Sequence, residues 1–208
     1  MMTRAYIFLN GVGEKEEFYK KLDFKNSSVY CADGGYRQCL KAGAIPKEVW
    51  GDFDSVSDSE FKDLEDSDII LRKFSKEKDS TDGELLIEYV SSKNYDEIYV
   101  LCGLGGRLDH ELTNINLLFK YKNINIKTEK ELLFSVDRKY TFINKKNKII
   151  SFVPFSDEVR NMNLKGFKYP LNDYLLKRGD SRCMSNIVCS DEATVDFNTG
   201  RLLCILND

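Results

Sequence analysis

Histidine occurs once in this chain of 208 residues, at His110, and tryptophan once, at Trp50. A single imidazole excludes His-rich zinc sites. None of the six cysteines (Cys31, Cys39, Cys102, Cys183, Cys189 and Cys204) forms a C-x-x-C pair or stands beside the histidine at ligand spacing. Free thiols of this kind point to a reducing, cytoplasmic setting. The chain has only three prolines, which argues against a Pro-rich linker or tail. No apolar run reaches the roughly 18–20 residues that span a bilayer. The opening segment MMTRAYIFLN has neither the apolar length nor the small-residue cleavage site of a secretory signal. Basic charge is also scarce: 31 Lys and Arg against 34 Asp and Glu leave a net charge of −3. A nucleic-acid partner is not expected from that balance. A polyanion bound here would need a metal ion to supply much of the positive charge.

What is present is an alternation of short β-branched runs with helical patterns over the first two-thirds of the chain. Residues 4–9, 28–32, 48–51, 68–72, 97–102 and 124–127 read as strands. Between them, residues 14–22, 36–42, 57–64, a segment capped by Thr81, and 108–121 read as helices. That rhythm predicts a Rossmann-like α/β domain, a parallel sheet with helices on both faces. From about residue 131 the helical period disappears. Residues 132–136, 140–143, 148–153, 188–189, 194–197 and 201–206 are short alternating segments separated by turn signals such as NKKN and NTG. A small antiparallel β domain is expected there, so the predicted domains are 1–130 and 131–208.

Ligands of a doubly wound sheet bind beyond the carboxyl ends of its strands. Acidic residues and glycines gather at those ends in this chain. The second strand runs into Asp33-Gly34-Gly35, the third into Gly51-Asp52-Phe53-Asp54-Ser55, and the fifth into GLGGRLDH at 103–110, while KDSTD at 78–82 precedes the fourth helix. Asp52 and Asp54 are two apart, so in extended chain they face one side. Paired carboxylates suit Mg²⁺, which takes a few acids plus water and substrate phosphates. Asp79 and Asp82 are candidates for a further ligand. The competing reading is a plain acidic turn.

The GLGGRLDH run lets backbone N–H groups approach phosphate oxygens at a helix start, and Arg107 adds a planar cation. It is neither G-x-G-x-x-G nor a loop ending in GK[ST], so it names no nucleotide fold by itself. A tight strand-to-helix connection with Arg107 paired to Asp109 is the alternative. His110 reads as a general base, an adenine or phosphate contact, or a positioned hydrogen bonder. Asp33 with its glycines suits a close approach to a sugar or base, or simply a turn.

Taken in order, CADGG at 31–35, GDFDS at 51–55, KDSTD at 78–82 and GGRLDH at 105–110 resemble the thiamine pyrophosphokinase family. GFKYPL at 166–171 and Ser185-Asn186 resemble its β domain, so the likeness covers nearly the whole chain. The resemblance implies a catalytic α/β domain followed by a small β-sandwich, and a homodimer with active sites between subunits. It implies thiamine and ATP as substrates, with Mg²⁺ held by Asp52, Asp54 and Asp82. It further implies nucleotide and phosphate contacts from Gly103, Arg107, Asp109, His110 and Asn114, with Asp33, Gly34 and Gly35 in the same cleft. Lys78 and Thr81 would contact substrate, and Ser185, Asn186 and Tyr169 would form the thiamine pocket. Three rivals remain open at this point: a pyrophosphokinase acting on a hydroxymethyl pterin, a non-catalytic nucleotide sensor, and a phosphatase with an aspartyl nucleophile, whose D-x-D signature DFDS at 52–55 loosely resembles.

Overall fold

The computed structural model describes residues 2–53, 64, 67–74 and 79–207. The chain divides into two units, Met1–Glu129 and Lys130–Asp208.

The first unit holds strands β1 (Arg4–Phe8), β2 (Ser28–Ala32), β3 (Glu48–Gly51), β4 (Ile70–Lys73), β5 (Glu97–Leu101) and β6 (Ile124–Lys127). They pair in parallel in the order β6-β5-β1-β2-β3-β4. Its helices among the described residues are α1 (Glu16–Tyr19), α2 (Gly35–Lys41), α3 (Asp82–Ser91) and α4 (Leu108–Leu117). Because β2 is buried at every position, its sequence SVYCA reads as a continuous apolar run rather than an alternation. Tyr6 and Phe8 of β1, Cys31 of β2 and Val49 of β3 pack with Phe18, Tyr19, Tyr36 and Cys39 of α1 and α2 on one face. Glu48 and Trp50 of β3 point to the opposite face, where Trp50 lies 4.7 Å from the ring of Tyr89 in α3. Each large side chain removed from water in these layers contributes about 1.5–3 kcal/mol.

The chain order places the reversal of the sheet between β1 and β5, since β2, β3 and β4 lie on one side of β1 and β5 and β6 on the other. That is where a doubly wound sheet opens a crevice.

The second unit is a pair of antiparallel sheets. β7 (Glu131–Val136), β9 (Ile149–Pro154), β12 (Asn186–Ile187) and β14 (Leu202–Asn207) form one, in the order β12-β9-β14-β7. β8 (Lys139–Ile143), β10 (Glu158–Lys165), β11 (Leu171–Lys177) and β13 (Glu192–Asp196) form the other, in the order β11-β10-β13-β8. Phe134, Phe152 and Leu202 from the first sheet share a core with Phe142, Met162 and Leu176 from the second. This is the expected sandwich.

Several elements differ from the sequence reading. The helix expected over 14–22 is the four-residue α1, and the one expected over 108–121 ends at Leu117. The strand expected at 188–189 is β12 at Asn186–Ile187, with Val188 left as an isolated bridge to Phe167. β10 and β11 were not expected at all. Their pairing carries register irregularities between Val159 and Met162 and between Met162 and Leu164, with Asn161 at φ 55°. A bulge of that kind breaks the period of two on which strand recognition rests. The helix expected over 57–64 lies almost wholly outside the described residues. No helix among the described residues is long and apolar enough to cross a membrane.

Candidate active site

At the sheet reversal, the loop after β1 is laced to the loop after β5 by main-chain hydrogen bonds. Leu9 N–H donates to Leu101 C=O at 3.0 Å, Gly11 N–H to Cys102 C=O at 2.8 Å, and Val12 N–H to Leu104 C=O at 3.1 Å. Gly11 is glycine for a steric reason: a Cβ there would stand 2.3 Å from Cys102 O and 2.6 Å from Leu104 O. Cys102 turns the chain with φ 53°. Its thiol sits 3.3 Å from the Tyr19 hydroxyl, which accepts the Glu14 N–H at 2.9 Å. Burial pushes the Cys102 thiol up to about 11, so it is a neutral wall group rather than a nucleophile at neutral pH.

These loops form one side of a cleft of about 660 Å³. The ends of β2 and β3 contribute Asp33 and Asp52, the start of α3 with the segment before it contributes Asp79, Thr81 and Asp82, and α4 with the turn before it contributes Gly103, Arg107, His110 and Asn114. The size suits a nucleotide-scale ligand. Thr81 caps α3, its Oγ1 accepting the Glu84 N–H at 3.1 Å. That is the capping arrangement its position suggested. The hydroxyl proton of Thr81 stays available to a ligand. Asp82 follows in the first helical turn.

Asn114 reaches back from α4 and donates Nδ2–H to Gly103 C=O at 2.8 Å, tying the helix to the turn that leads into it. Arg107 occupies the N-cap position of α4 with no side-chain cap. Its guanidinium holds the Asp109 carboxylate through two contacts. The bond to Arg107 holds the Asp109 carboxyl below the usual carboxylate range. Asp109 Oδ1 also accepts the His110 N–H at 3.0 Å. Asp109 is therefore a partner of Arg107, and both are exposed. Asp33, at φ 44°, donates its N–H to Trp50 C=O at 2.8 Å. Its carboxylate lies over Gly51, where a Cβ would come within 1.8 Å of Asp33 Oδ1.

The structure thus brings together Asp33, Asp52, Thr81, Asp82, Gly103, Arg107, His110 and Asn114. Gly34 and Gly35 stand behind Asp33 instead of in the cleft wall. A Cβ on Gly34 would meet Asn10 Oδ1 at 2.3 Å and one on Gly35 would meet Phe8 O at 2.2 Å. The small size of Gly35 lets the α2 start pack against β1, and that of Gly34 leaves room for the Asn10 amide. Asp54 and Lys78 lie outside the described residues. Among the described residues no three His, Cys, Asp or Glu side chains are grouped to hold a metal ion. Asn10, Ser80 and Glu111 also line the cleft; Asn10-Gly11 reads from sequence as a ligand contact or a turn, like Asp33 with its glycines, and Ser80 and Glu111 are additions to the sequence reasoning. Glu111 was within reach of such reasoning, because Arg107, Glu111 and Asn114 recur at helical spacing on one face of α4.

In the second unit, Asn186 is buried at 2% exposure, and its amide is engaged by the Tyr169 main chain. Tyr169 N–H donates to Asn186 Oδ1 at 3.0 Å, and Asn186 Nδ2–H to Tyr169 C=O at 2.8 Å. Ser185, at φ 52°, donates its N–H to Ser151 Oγ at 2.9 Å. The Tyr169 ring is exposed. Of these three residues, Tyr169 and Ser185 offer side chains to a ligand, and Asn186 holds the Tyr169 segment in place.

Residues 19–129 match the family model of the thiamin pyrophosphokinase catalytic domain, and residues 123–202 match that of the thiamin pyrophosphokinase vitamin B1 binding domain. The chain belongs to the thiamin pyrophosphokinase family. It is 36% identical over 179 residues to the thiamine pyrophosphokinase of Bacillus subtilis (strain 168), covering 83% of this chain and 84% of that one. The crystal structure of thiamine pyrophosphokinase from Bacillus subtilis superposes with a TM-score of 0.87 at 29% identity, over 99% of each chain. Thiamin pyrophosphokinase from Geobacillus thermodenitrificans gives 0.88 at 28% identity, over 99% of this chain and 98% of that one. The α/β unit followed by an antiparallel sheet unit is therefore a family architecture.

Proposed function

We propose that the protein is a thiamine pyrophosphokinase: it transfers a pyrophosphoryl group from ATP to the primary hydroxyl of thiamine, giving thiamine diphosphate and AMP. The observation that carries this reading is the convergence of Asp52, Asp82 and Arg107 on one cleft at the sheet reversal of a family member.

Attack of a hydroxyl on the β-phosphorus needs in-line placement and neutralised charge more than covalent help. The chain supplies both. Arg107 offers a planar cation to phosphate oxygens, and the start of α4 offers main-chain N–H groups and the positive end of a ten-residue helix. The glycine turn at 103–106 lets main chain approach the phosphates, with Asn114 holding its shape. Asp33 and His110, both in the cleft lining, are proposed to contact the nucleotide.

The donor set fits Mg²⁺, because Asp52 and Asp82 bring hard carboxylate oxygens to the cleft and this ion needs only one or two acids beside water and phosphates. Asp54 is proposed as a third ligand and Lys78 as a substrate contact. When bound, the ion would neutralise phosphate charge. Thiamine is assigned to Tyr169 and Ser185, with the site completed by a second copy of the chain. Leu108 and Leu112, exposed and one turn apart on α4, support such pairing. Six free thiols are consistent with a cytoplasmic setting.

Incubation with thiamine, ATP and Mg²⁺, followed by chromatography, should yield AMP and thiamine diphosphate in equal amounts. ADP with thiamine monophosphate, or no product, would remove the proposal. Asp82→Asn should lower turnover at least about 10²-fold with an unchanged fold.

A further inference from the structure

Glu48 is an acid that the reaction does not use, yet it is 6% exposed. A charge so placed is costly unless it is paired and hydrogen-bonded. Here three side chains from three elements converge on it. Trp50 Nε1–H of β3 and Arg72 Nε–H of β4 donate to Oε2 at 3.0 and 3.2 Å, and the Tyr89 hydroxyl of α3 donates to Oε1 at 2.7 Å. These donors hold the carboxyl below its ordinary range against the opposing effect of burial, so it is ionised at neutral pH. A phenol hydrogen bond to a carboxylate is of the strong, directional kind.

The geometry matters for the cleft. Glu48 and Trp50 alternate onto one side of β3, and Asp52 follows its last residue at the cleft. The distance along the strand from Glu48 to Asp52 is about 13 Å. From Tyr89 back to Asp82 along α3 is about 10 Å. The helix lies over this side of β3, Trp50 meeting the Tyr89 ring at 4.7 Å, with Asp52 and Asp82 both at the cleft end. Leu86, Ile87 and Val90 bury the apolar face of α3, and to that non-directional packing a hydrogen bond adds a directional constraint. The 2.7 Å Tyr89–Glu48 bond favours the axial position of α3 in which the phenol reaches the carboxylate.

We propose that Glu48 is a positioning residue that, through Tyr89, fixes the register of α3 on β3 and thereby the spacing of Asp52 and Asp82 that a divalent cation with a nucleotide requires. The proposal rests on the metal-nucleotide reading of the cleft and adds to it a determinant lying outside the cleft.

The decisive variant is Tyr89→Phe, which removes one hydroxyl and keeps the ring. Glu48→Gln is the companion, and Tyr95→Phe the control. Tyr95 shares a 2.8 Å hydroxyl contact with Tyr30 and makes no bond to Glu48. Binding of Mn²⁺ in the presence of ATP is read by electron paramagnetic resonance, beside urea unfolding and steady-state kinetics. Tyr89→Phe and Glu48→Gln should weaken Mn²⁺ binding about 2–30-fold, the range for coupling carried through packed side chains and hydrogen bonds. Thiamine KM should stay constant, and Tyr95→Phe should bind Mn²⁺ as the parent does. Folded Tyr89→Phe protein with parental Mn²⁺ affinity would overturn the proposal, as would equal loss in Tyr95→Phe. Parent protein that binds Mn²⁺ with ATP but makes no thiamine diphosphate would remove the proposed activity alone. Parent protein that binds no Mn²⁺ with ATP would remove both.

Discussion

Arg107 grips Asp109 in a bidentate pair, Nη2 to Oδ2 at 2.6 Å and Nε to Oδ1 at 3.2 Å, at the first turn of α4. The pairing keeps the guanidinium aligned at the cleft rim without burying it. Arriving phosphate oxygens can exchange with the carboxylate for the same fork of donors. Arg107→Ala should therefore lower kcat/KM for ATP about 10²-fold while leaving the melting temperature where it was. Arg107→Lys should recover little, because an ammonium cannot reproduce the fork. Steady-state kinetics with ATP varied, beside a thermal melt, is the check; parental kinetics in the alanine variant would remove Arg107 from the site.

Gly11→Ala tests the lacing of the loops after β1 and β5. The new methyl would press on Cys102 O and Leu104 O, both main-chain atoms. Relief demands that a hydrogen-bonded segment move, at about 1–3 kcal/mol. Urea unfolding should show that loss, and the ATP KM should rise with it. A variant as stable as the parent would mean that the lacing is looser than the distances imply.

Asn186→Ala removes both bonds to the Tyr169 main chain. Buried polar groups left behind cost about 1–3 kcal/mol each. Loss of stability should accompany a rise in thiamine KM, since Tyr169 would lose its anchor. ATP KM should not change. A rise in thiamine KM without any stability loss would instead argue for direct contact by the amide.

Thiol chemistry gives a pH signature. Cys189 is exposed and the other five cysteines are buried. Burial pushes Cys102 and Cys183 up to about 11, and Cys31 and Cys204 well above the ordinary thiol range. Unfolded thiols ionise near about 8.5. The neutral form is thus favoured by folding: its contribution is complete below that pH and declines as pH rises toward 11. The melting temperature should fall across that alkaline window, and less steeply in Cys204→Ala. At pH 8 iodoacetamide should label one thiol of the native chain, Cys189; rapid labelling of Cys102 would contradict its burial.

Much of the first unit was legible in the sequence because its strands are short, β-branched and bounded by glycine or aspartate. Thr81 was legible as a cap because the chemistry is local, three residues from donor to acceptor. Other features depended on contacts remote in the chain. Nothing near Gly35 announces the Phe8 carbonyl that demands its small size. Nothing near Asn186 announces Tyr169. The bulged pairing of β10 with β11 hid two strands, since Val159, Met162 and Leu164 do not alternate evenly. Glu48 read as the polar start of a strand, and its three donors appear only once β3, β4 and α3 are assembled.

The position of β1 has a consequence for synthesis. One of its neighbours, β2, follows within about thirty residues, but the other, β5, begins only at Glu97. A growing chain emerging from the ribosome thus carries a strand that is apolar from Ala5 to Phe8, with one side unsatisfied until nearly half of the polypeptide has been made. Premature termination before Glu97 would leave that side open to other chains, so truncated products should be insoluble instead of merely inactive.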